Sequence, residues 1–329
     1  MLSARRREAG AARPGCTVML RCLKIVDQKL MECGPADGQV FVYISPSEAE
    51  RRELIDAYKI DEHNLQSSLD PDELARVEEE PDHTALVFKR PKRYSAEDKF
   101  HFKIHSVGAF LYDQRLIVIE AEDLPLFDGK AFARIQSLRD LVLKLIYRSV
   151  VHFTEHLRVI NMISEEIEAQ ITTSMENRSL IHLFMLEKSL VYYLNAIQAN
   201  GALIERVRIN ANNPATRGFS KEHVEFIDDL AIENKQCYEQ TRIYSDILAG
   251  MMDARASIVN NNLNLMMRTL TILMLAVMWP PLVCGLFSMN VKLPVAQQEG
   301  LLPFFMIATA ALGPITVGLL WWWRKRRRK

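Results

Sequence analysis

The stretch RTLTILMLAVMWPPLVCGLFSMNVK, residues 268–292, carries no charge between Arg268 and Lys292. A second, EGLLPFFMIATAALGPITVGLLWWWR, residues 299–324, carries none between Glu299 and Arg324. Each exceeds the roughly 20 apolar residues that cross a bilayer as a helix. Their reading decides the fold: a membrane protein with two spans at its C-terminal end, at 269–290 and 301–323, joined by an external loop at 291–300. Directly after Trp321, Trp322 and Trp323 come the six cations Arg324, Lys325, Arg326, Arg327, Arg328 and Lys329. Positive residues beside a span stay on the cytoplasmic side and tryptophans mark the interface. Both termini are therefore expected in the cytoplasm of an inner (plasma) membrane, multi-pass protein. The basic tail, 324–329, serves as a stop-transfer anchor or as a contact for anionic lipid headgroups.

Upstream of these spans the composition is that of a water-exposed chain. Over 329 residues, 25% are charged, and 41 Lys plus Arg balance 41 Asp plus Glu. That length suggests about two domains. The charged fraction excludes disorder as the main state, and the neutral balance argues against a nucleic-acid partner. The five cysteines, Cys16, Cys22, Cys33, Cys237 and Cys284, are odd in number and form no CxxC pair. They read as reduced thiols rather than a disulfide framework. The start, MLSARRREAG, is basic but leads into no apolar run of signal-peptide length. Residues 1–18 read as a flexible extension, with Met19 a candidate start.

Residues 19–128 alternate short apolar runs with breakers and predict an α/β domain. Its expected strands are Val40–Ile44, Thr84–Lys89, Ser106–Leu111 and Leu116–Glu120, the last two joined by a hairpin turn at Asp113-Gln114. Helices are expected at Ser47–Tyr58 and His63–Ser68. From Pro125 to Pro214 no proline occurs and apolar residues recur at helical spacing. Residues 129–218 therefore predict long antiparallel cytosolic helices, Phe132–Met175 and Leu180–Ile209, followed by a loop at 210–218. A third helix is expected from Ser220 as N-cap. With no proline until Pro280, it would cover about 60 residues and roughly 90 Å at about 1.5 Å per residue. Residues 219–268 would form a stalk that continues into the first span.

On this third helix, steps of three and four residues from Asp246 pass through Gly250, Asp253, Ser257, Asn260, Asn264, Met267, Thr271, Met274 and Met278. The line is polar or small before the membrane and keeps threonine and methionine within it. The neighbouring line, Ile247, Met251, Ala254, Ile258, Leu265, Ile272 and Leu275, is mostly apolar. A dry supercoil seam would be apolar at these steps. A polar seam flanked by an apolar one suits several helices around a water-filled lumen, where polar groups at membrane depth are tolerated. The plainer alternative is a polar face turned to solvent on an ordinary stalk. A two-span chain cannot enclose a lumen alone, so the pore reading requires an oligomer.

The first span ends Gly285-Leu-Phe-Ser-Met-Asn290, and Asn264-Leu-Met-Met-Arg-Thr-Leu-Thr-Ile272 lies at its start. Together these resemble the CorA family of divalent cation transporters, with its Gly-Met-Asn signature after the first span and its N-x-x-M-(K/R)-x-L-T run. The segments 243–254, 181–190, 63–71 and 84–88 are also similar to the family's stalk, preceding helix and cytosolic domain. The resemblance implies an α+β homopentameric funnel: an N-terminal α/β cytosolic domain, long stalk helices and two C-terminal transmembrane helices, the first lining the pore. It also implies a selectivity filter of Ser288, Met289 and Asn290, with five copies of Asn290 meeting a hydrated ion. Asp253, Asn260, Asn264, Met267, Leu270, Thr271, Met274 and Met278 would line the pore. Met267 and Leu270 match the family's hydrophobic constriction, and Asp253 is a candidate metal contact.

The implied partners are further copies of this chain, membrane lipid and divalent metal ions. No cofactor is expected, the cation itself (Mg2+, Zn2+, Co2+ or Ni2+) being cargo. Two departures stand out: Ser288 occupies the signature's glycine position, and the loop 291–300 sets Lys292 against its one acid, Glu299. Weaker cation concentration and altered selectivity follow from them. The zinc-transporting branch of the family tolerates a changed middle residue of the signature but usually keeps the glycine, and CmaX-type members form another divergent branch. A pentameric scaffold or sensor with lost or altered transport is the alternative reading. No Gly-rich phosphate loop, GxSxG elbow or HExxH motif offers a foothold for catalysis. His152 and His156, four apart on a helix, read as a packing pair, His101 and His105 as unrelated, and Glu78-Glu79-Glu80 with Asp82 as a solvated face. Because a loop-end amide captures ions without packing a core, Asn290→Ala is expected to abolish cation uptake or its ion preference while leaving the oligomer intact. Wild-type uptake rates and selectivity in reconstituted liposomes would contradict this.

Overall fold

The computed structural model describes residues 19–94, 100–173, 177–213, 219–287 and 302–326, which divide into one unit ending at Met252 and another beginning at Asp253. In the first unit lie strands β1 (Met19–Val26), β2 (Lys29–Glu32), β3 (Val40–Ile44), β4 (Arg76–Glu79), β5 (Thr84–Pro91), β6 (Ile104–Leu111) and β7 (Leu116–Glu120). They form a sheet in the order β2-β1-β3-β7-β6-β5-β4. Only β3 and β7 pair in parallel. Every residue of these two central strands is buried, because the sheet is covered on both faces and an unbroken apolar run is then favoured.

One face, with Val40, Val42, Phe88, Val107, Leu116 and Val118, packs against the long helices α3 (Leu138–Thr173) and α4 (Asn177–Asn212). The opposite face, with Phe41, Tyr43, Phe110, Ile117 and Ile119, packs against α1 (Glu48–Asp56) and α2 (Glu62–Leu69) through Leu54 and Leu65. Glycine is required where α2 crosses β6: a Cβ on Gly108 would lie 2.0 Å from Ser68 Oγ. Buried polar atoms fasten the other face. The Asn200 side chain on α4 accepts from Lys89 N and donates to Lys89 O, both at 2.8 Å, extending the strand's own bonding pattern to a helix. Ser189 Oγ accepts from Phe102 N at 3.2 Å.

The apolar pattern locates β3 and β7 to the residue, whereas β5 and β6 each run two residues further than expected. It misses β1, β2 and β4. The β1–β2 turn, Asp27-Gln28, takes positive φ angles of 50° and 64° without an Asn-Gly or Asp-Gly signature. The edge strand β4 reads Arg-Val-Glu-Glu, charged as exposed edges often are. The first long helix also starts later than expected. Lys130–Ala133 is a 3-10 turn and Arg134 is extended. The cap is Ser137, whose Oγ accepts from Asp140 N at 3.1 Å while Asp140 Oδ2 accepts from Gln136 N at 2.8 Å. Ser220 caps the third helix as expected, with His223 in reciprocal contact: His223 N donates to Ser220 Oγ and Ser220 N to His223 Nδ1, both at 3.2 Å.

That helix, α5 (Lys221–Phe287), spans 67 residues and continues through Pro280 and Pro281. The last, α6 (Leu302–Arg326), contains Pro314. Among the described residues α5 alone is long and apolar enough to cross a membrane; in α6 the described apolar stretch is the shorter Phe305–Gly318. Forcing a methyl against Ser68 makes Gly108→Ala an overpacking change, expected to cost about 1–3 kcal/mol. Denaturant unfolding of the purified chain measures it, and Ser68→Gly in the same chain should recover most of the loss. A Gly108→Ala chain as stable as wild type would contradict the contact.

Candidate functional site

In the second unit, α6 packs on one face of α5. Val283 of α5 and Ala311 of α6 are each buried, at 6% exposed. Pro314 has no N–H, so the carbonyl of Ala310, four residues before it, loses its donor within the helix. Trp279 Nε1 donates to that carbonyl at 3.0 Å. A proline in one helix is thus satisfied by a tryptophan of the other, which fixes how α5 is turned against α6. Beside this bond lies an apolar groove of about 610 Å3, with Ile272, Ala276 and Ile315 among its walls.

The expected line lies on the other side. At about 100° per residue, the nine-residue step from Met274 to Val283 is about 180°. Asp253, Asn260, Asn264, Met267, Leu270, Thr271, Met274 and Met278 are all exposed in the single chain, and none of them lines the groove. The Thr271 hydroxyl donates to Met267 O at 2.8 Å, so it does not require a partner from another element. Ile272, on the neighbouring apolar line, belongs to the groove with α6. Ser288, Met289 and Asn290 lie outside the described residues, as does the loop 291–300.

No three His, Cys, Asp or Glu side chains are grouped to hold a metal ion among the described residues. The packing reading of the histidine pair holds: the His152 and His156 rings are 4.5 Å apart, His152 Nδ1 accepts from Arg90 Nε at 3.4 Å, and His156 Nδ1 meets Tyr193 Oη at 2.7 Å. His101 is exposed, whereas His105 is buried on β6 opposite Arg90. The acidic run is more engaged than a solvated face. Glu78 accepts from Asn64 Nδ2 at 2.7 Å and pairs with Arg76 at 3.1 Å, and Glu79 accepts from Thr84 Oγ1 and Asn210 Nδ2. Sequence reasoning missed the Trp279–Ala310 bond, although a tryptophan amid an apolar span and a proline in the next were its visible signals.

Burial, reinforced by neighbouring positive charge, pushes His105 and His152 down to about 3. His156 falls to about 4 for the same reasons. Burial acts the other way on Glu120, raising it to about 8 against the pull of Arg90.

A family model described as CorA-like Mg2+ transporter protein matches residues 39–326. The chain belongs to the CorA family. This is a family of transporters rather than enzymes, and the α/β unit followed by one long helix is its fold. The cobalt/magnesium transport protein CorA of Methanocaldococcus jannaschii is 26% identical over 292 residues, covering 83% of this chain and 87% of the relative. The complete structure of the CorA magnesium transporter from the same organism superposes with a TM-score of 0.73 at 20% identity, over 94% of this chain and 98% of that one. Full-length CmaX gives 0.67 at 13% identity, over 96% and 100%.

The buried histidines make the chain less stable in acid. Each is neutral in the fold and titrates near 6.5 when unfolded, so its stabilising contribution is complete above about pH 6.5 and is lost as pH falls toward 3–4. Glu120 is protonated in the fold, so its contribution is lost as pH rises from 4.5 toward about 8. His105 is the most deeply buried of the three, at 2% exposed, which makes it the cleanest probe. His105→Leu is expected to leave stability at pH 7.5 equal or higher. It should also flatten the acid limb between pH 6 and 4 by about one proton, or about 1.4 kcal/mol per pH unit. An unchanged slope in unfolding experiments across that range would contradict the assignment.

Proposed function

We propose that this chain moves a divalent cation, Mg2+ or a similarly hydrated ion such as Co2+, Zn2+ or Ni2+, through a central pore formed by five copies. The observation that carries the reading is the orientation of α5: α6 occupies one face, and the polar line from Asp253 to Met278 is left uncovered on the other. Five such faces turned inward would enclose a lumen, and the apolar groove side would be turned to α6 and lipid. The relatives named for cobalt, magnesium and magnesium transport support the cargo class.

In this reading residues 19–128 and 129–218 form the cytosolic part, 219–268 the stalk, and 269–290 and 301–323 two spans of an inner membrane with both termini inside. The 324–329 tail meets anionic headgroups. Magnesium sheds its waters reluctantly. An amide oxygen ring at Asn290 therefore accepts hydrogen bonds from the hydration shell instead of displacing it. Met267 and Leu270 narrow the path to an apolar ring, which gates by dewetting. Asn264, Asn260 and Asp253 then receive the ion on the cytosolic side. Ser288 adds a hydroxyl at the mouth where the family signature has none, a difference that bears on which ion is preferred.

After replacement of Cys284, cysteines at Asn264 and Met267 should react with a small thiol reagent in the open channel. Cysteines at Ile258 and Ile272 should be shielded, and Met267→Trp should block flux with little loss of assembly. Equal labelling of both lines would overturn the pore register.

A further inference from the structure

Two of the cysteines are cross-strand partners. The β1–β2 register pairs Leu23 with Glu32, Lys24 with Met31, Ile25 with Leu30 and Val26 with Lys29. One step further sets Cys22 opposite Cys33, and Cys33 N donates to Cys22 O at 3.0 Å. Residues directly opposite in an antiparallel ladder point to the same face, with Cα atoms about 5.5 Å apart at such a hydrogen-bonded pair. That separation falls within the roughly 4.4–6.8 Å that a disulfide spans. Both thiols are free, and both pack against the same apolar cluster under β3. Cys22 is buried while Cys33 is partly exposed, so a small oxidant reaches the pair through Cys33. The remaining described cysteines, buried Cys237 and exposed Cys284, lie far apart along α5.

We propose that Cys22 and Cys33 form a reversible disulfide, a redox modification site at the edge of the cytosolic sheet. With hydrogen peroxide as oxidant, the Cys33 thiolate attacks one peroxide oxygen. The O–O bond breaks, and the leaving hydroxide takes a proton to become water. Cys22 sulfur then attacks the resulting sulfenic sulfur, the S–S bond forms, and the second hydroxide leaves as water with the other thiol proton. Two thiols are oxidised by two electrons and one peroxide is reduced to two waters. The bond would close the open end of a hairpin whose turn is already engaged: Gln28 O accepts from Ile135 N at 2.7 Å and Gln28 Oε1 from Arg134 Nε at 2.8 Å. Oxidation therefore fastens the β1–β2 hairpin at both ends, its turn being held by the segment that leads into α3.

The test treats the purified full chain, in a Cys16→Ser, Cys284→Ser background, with hydrogen peroxide and maps its peptides without reduction. The expected result is a peptide joining Cys22 to Cys33, two hydrogens lighter than the reduced pair. Both residues should resist alkylation in denaturant until dithiothreitol is added. Amide exchange across 22–33 should slow on oxidation and recover on reduction. Cys33→Ser should abolish the linked peptide and leave Cys22 open to alkylation. The proposal is overturned by any of three outcomes in the Cys33-containing chain: both thiols still alkylated after peroxide, sulfinic acid at Cys33 beside a free Cys22, or a Cys33–Cys33 link between two copies. Since the peptide map is read on the chain with both cysteines, a folding defect in Cys33→Ser would not spare it.

Discussion

A helix can give each of its faces to only one neighbour, and the second unit depends on which face α5 gives to α6. That choice is set by a polar requirement in an apolar setting. Pro314 strips Ala310 of its helical donor, and Trp279 brings an N–H that itself needs an acceptor. In a low-dielectric environment an unpaired amide carbonyl and an unpaired indole N–H would each be costly. Pairing them selects one rotation of α5. Once Val283, Ala276 and Trp279 face α6, residues about half a turn away, Met267, Thr271 and Met274, face elsewhere. The exposure of the polar line is in this sense a by-product of a bond on the opposite side.

The first unit is governed by a comparable economy of backbone groups. The central strands β3 and β7 are buried on both faces and almost entirely apolar, so they offer little polar surface by which helices could be positioned. Side chains of the helices supply it instead. Asn200 and Ser189 reach the backbones of β5 and the segment before β6, and Ser149 Oγ donates to Lys89 O. Lys89 itself, buried on the other face, gives its ammonium to Pro71 O and Ser106 Oγ, and burial lowers it to about 8. These bonds specify the register of helix on sheet, which apolar contact alone leaves loose.

Buried titratable groups also gather on this sheet. Arg90, His105 and Glu120 stand on three adjacent strands, β5, β6 and β7, with His152 of α3 facing them. Burial moves the histidines and the carboxyl in opposite directions, so all of them are neutral near pH 7 and Arg90 keeps the charge. Arg90 directs part of that charge to Pro125 O at 2.7 Å, in the chain leading to α3.

Much of this chain is written in local pattern. Two charge-free stretches, the apolar runs of β3 and β7, the Ser47 and Ser220 caps and the 3/4 line on α5 are properties of residues near one another in sequence, and periodicity reads them directly. The Gly285–Asn290 and Asn264–Ile272 segments carried the resemblance to the family by their spacing. Other features depend on residues far apart. The charged edge strand β4 is a strand because β5 lies beside it, and α3 begins at Leu138 because Asp140 folds back on Gln136. His105 and His152 meet only through the sheet, and Cys22 faces Cys33 only through a turn whose positive φ angles its residues do not advertise. The rotation of α5 likewise came from Trp279 and Ala310, 31 residues apart. Hydrogen-bond satisfaction and close packing act between whatever groups the chain brings together, and a one-dimensional period carries no record of them.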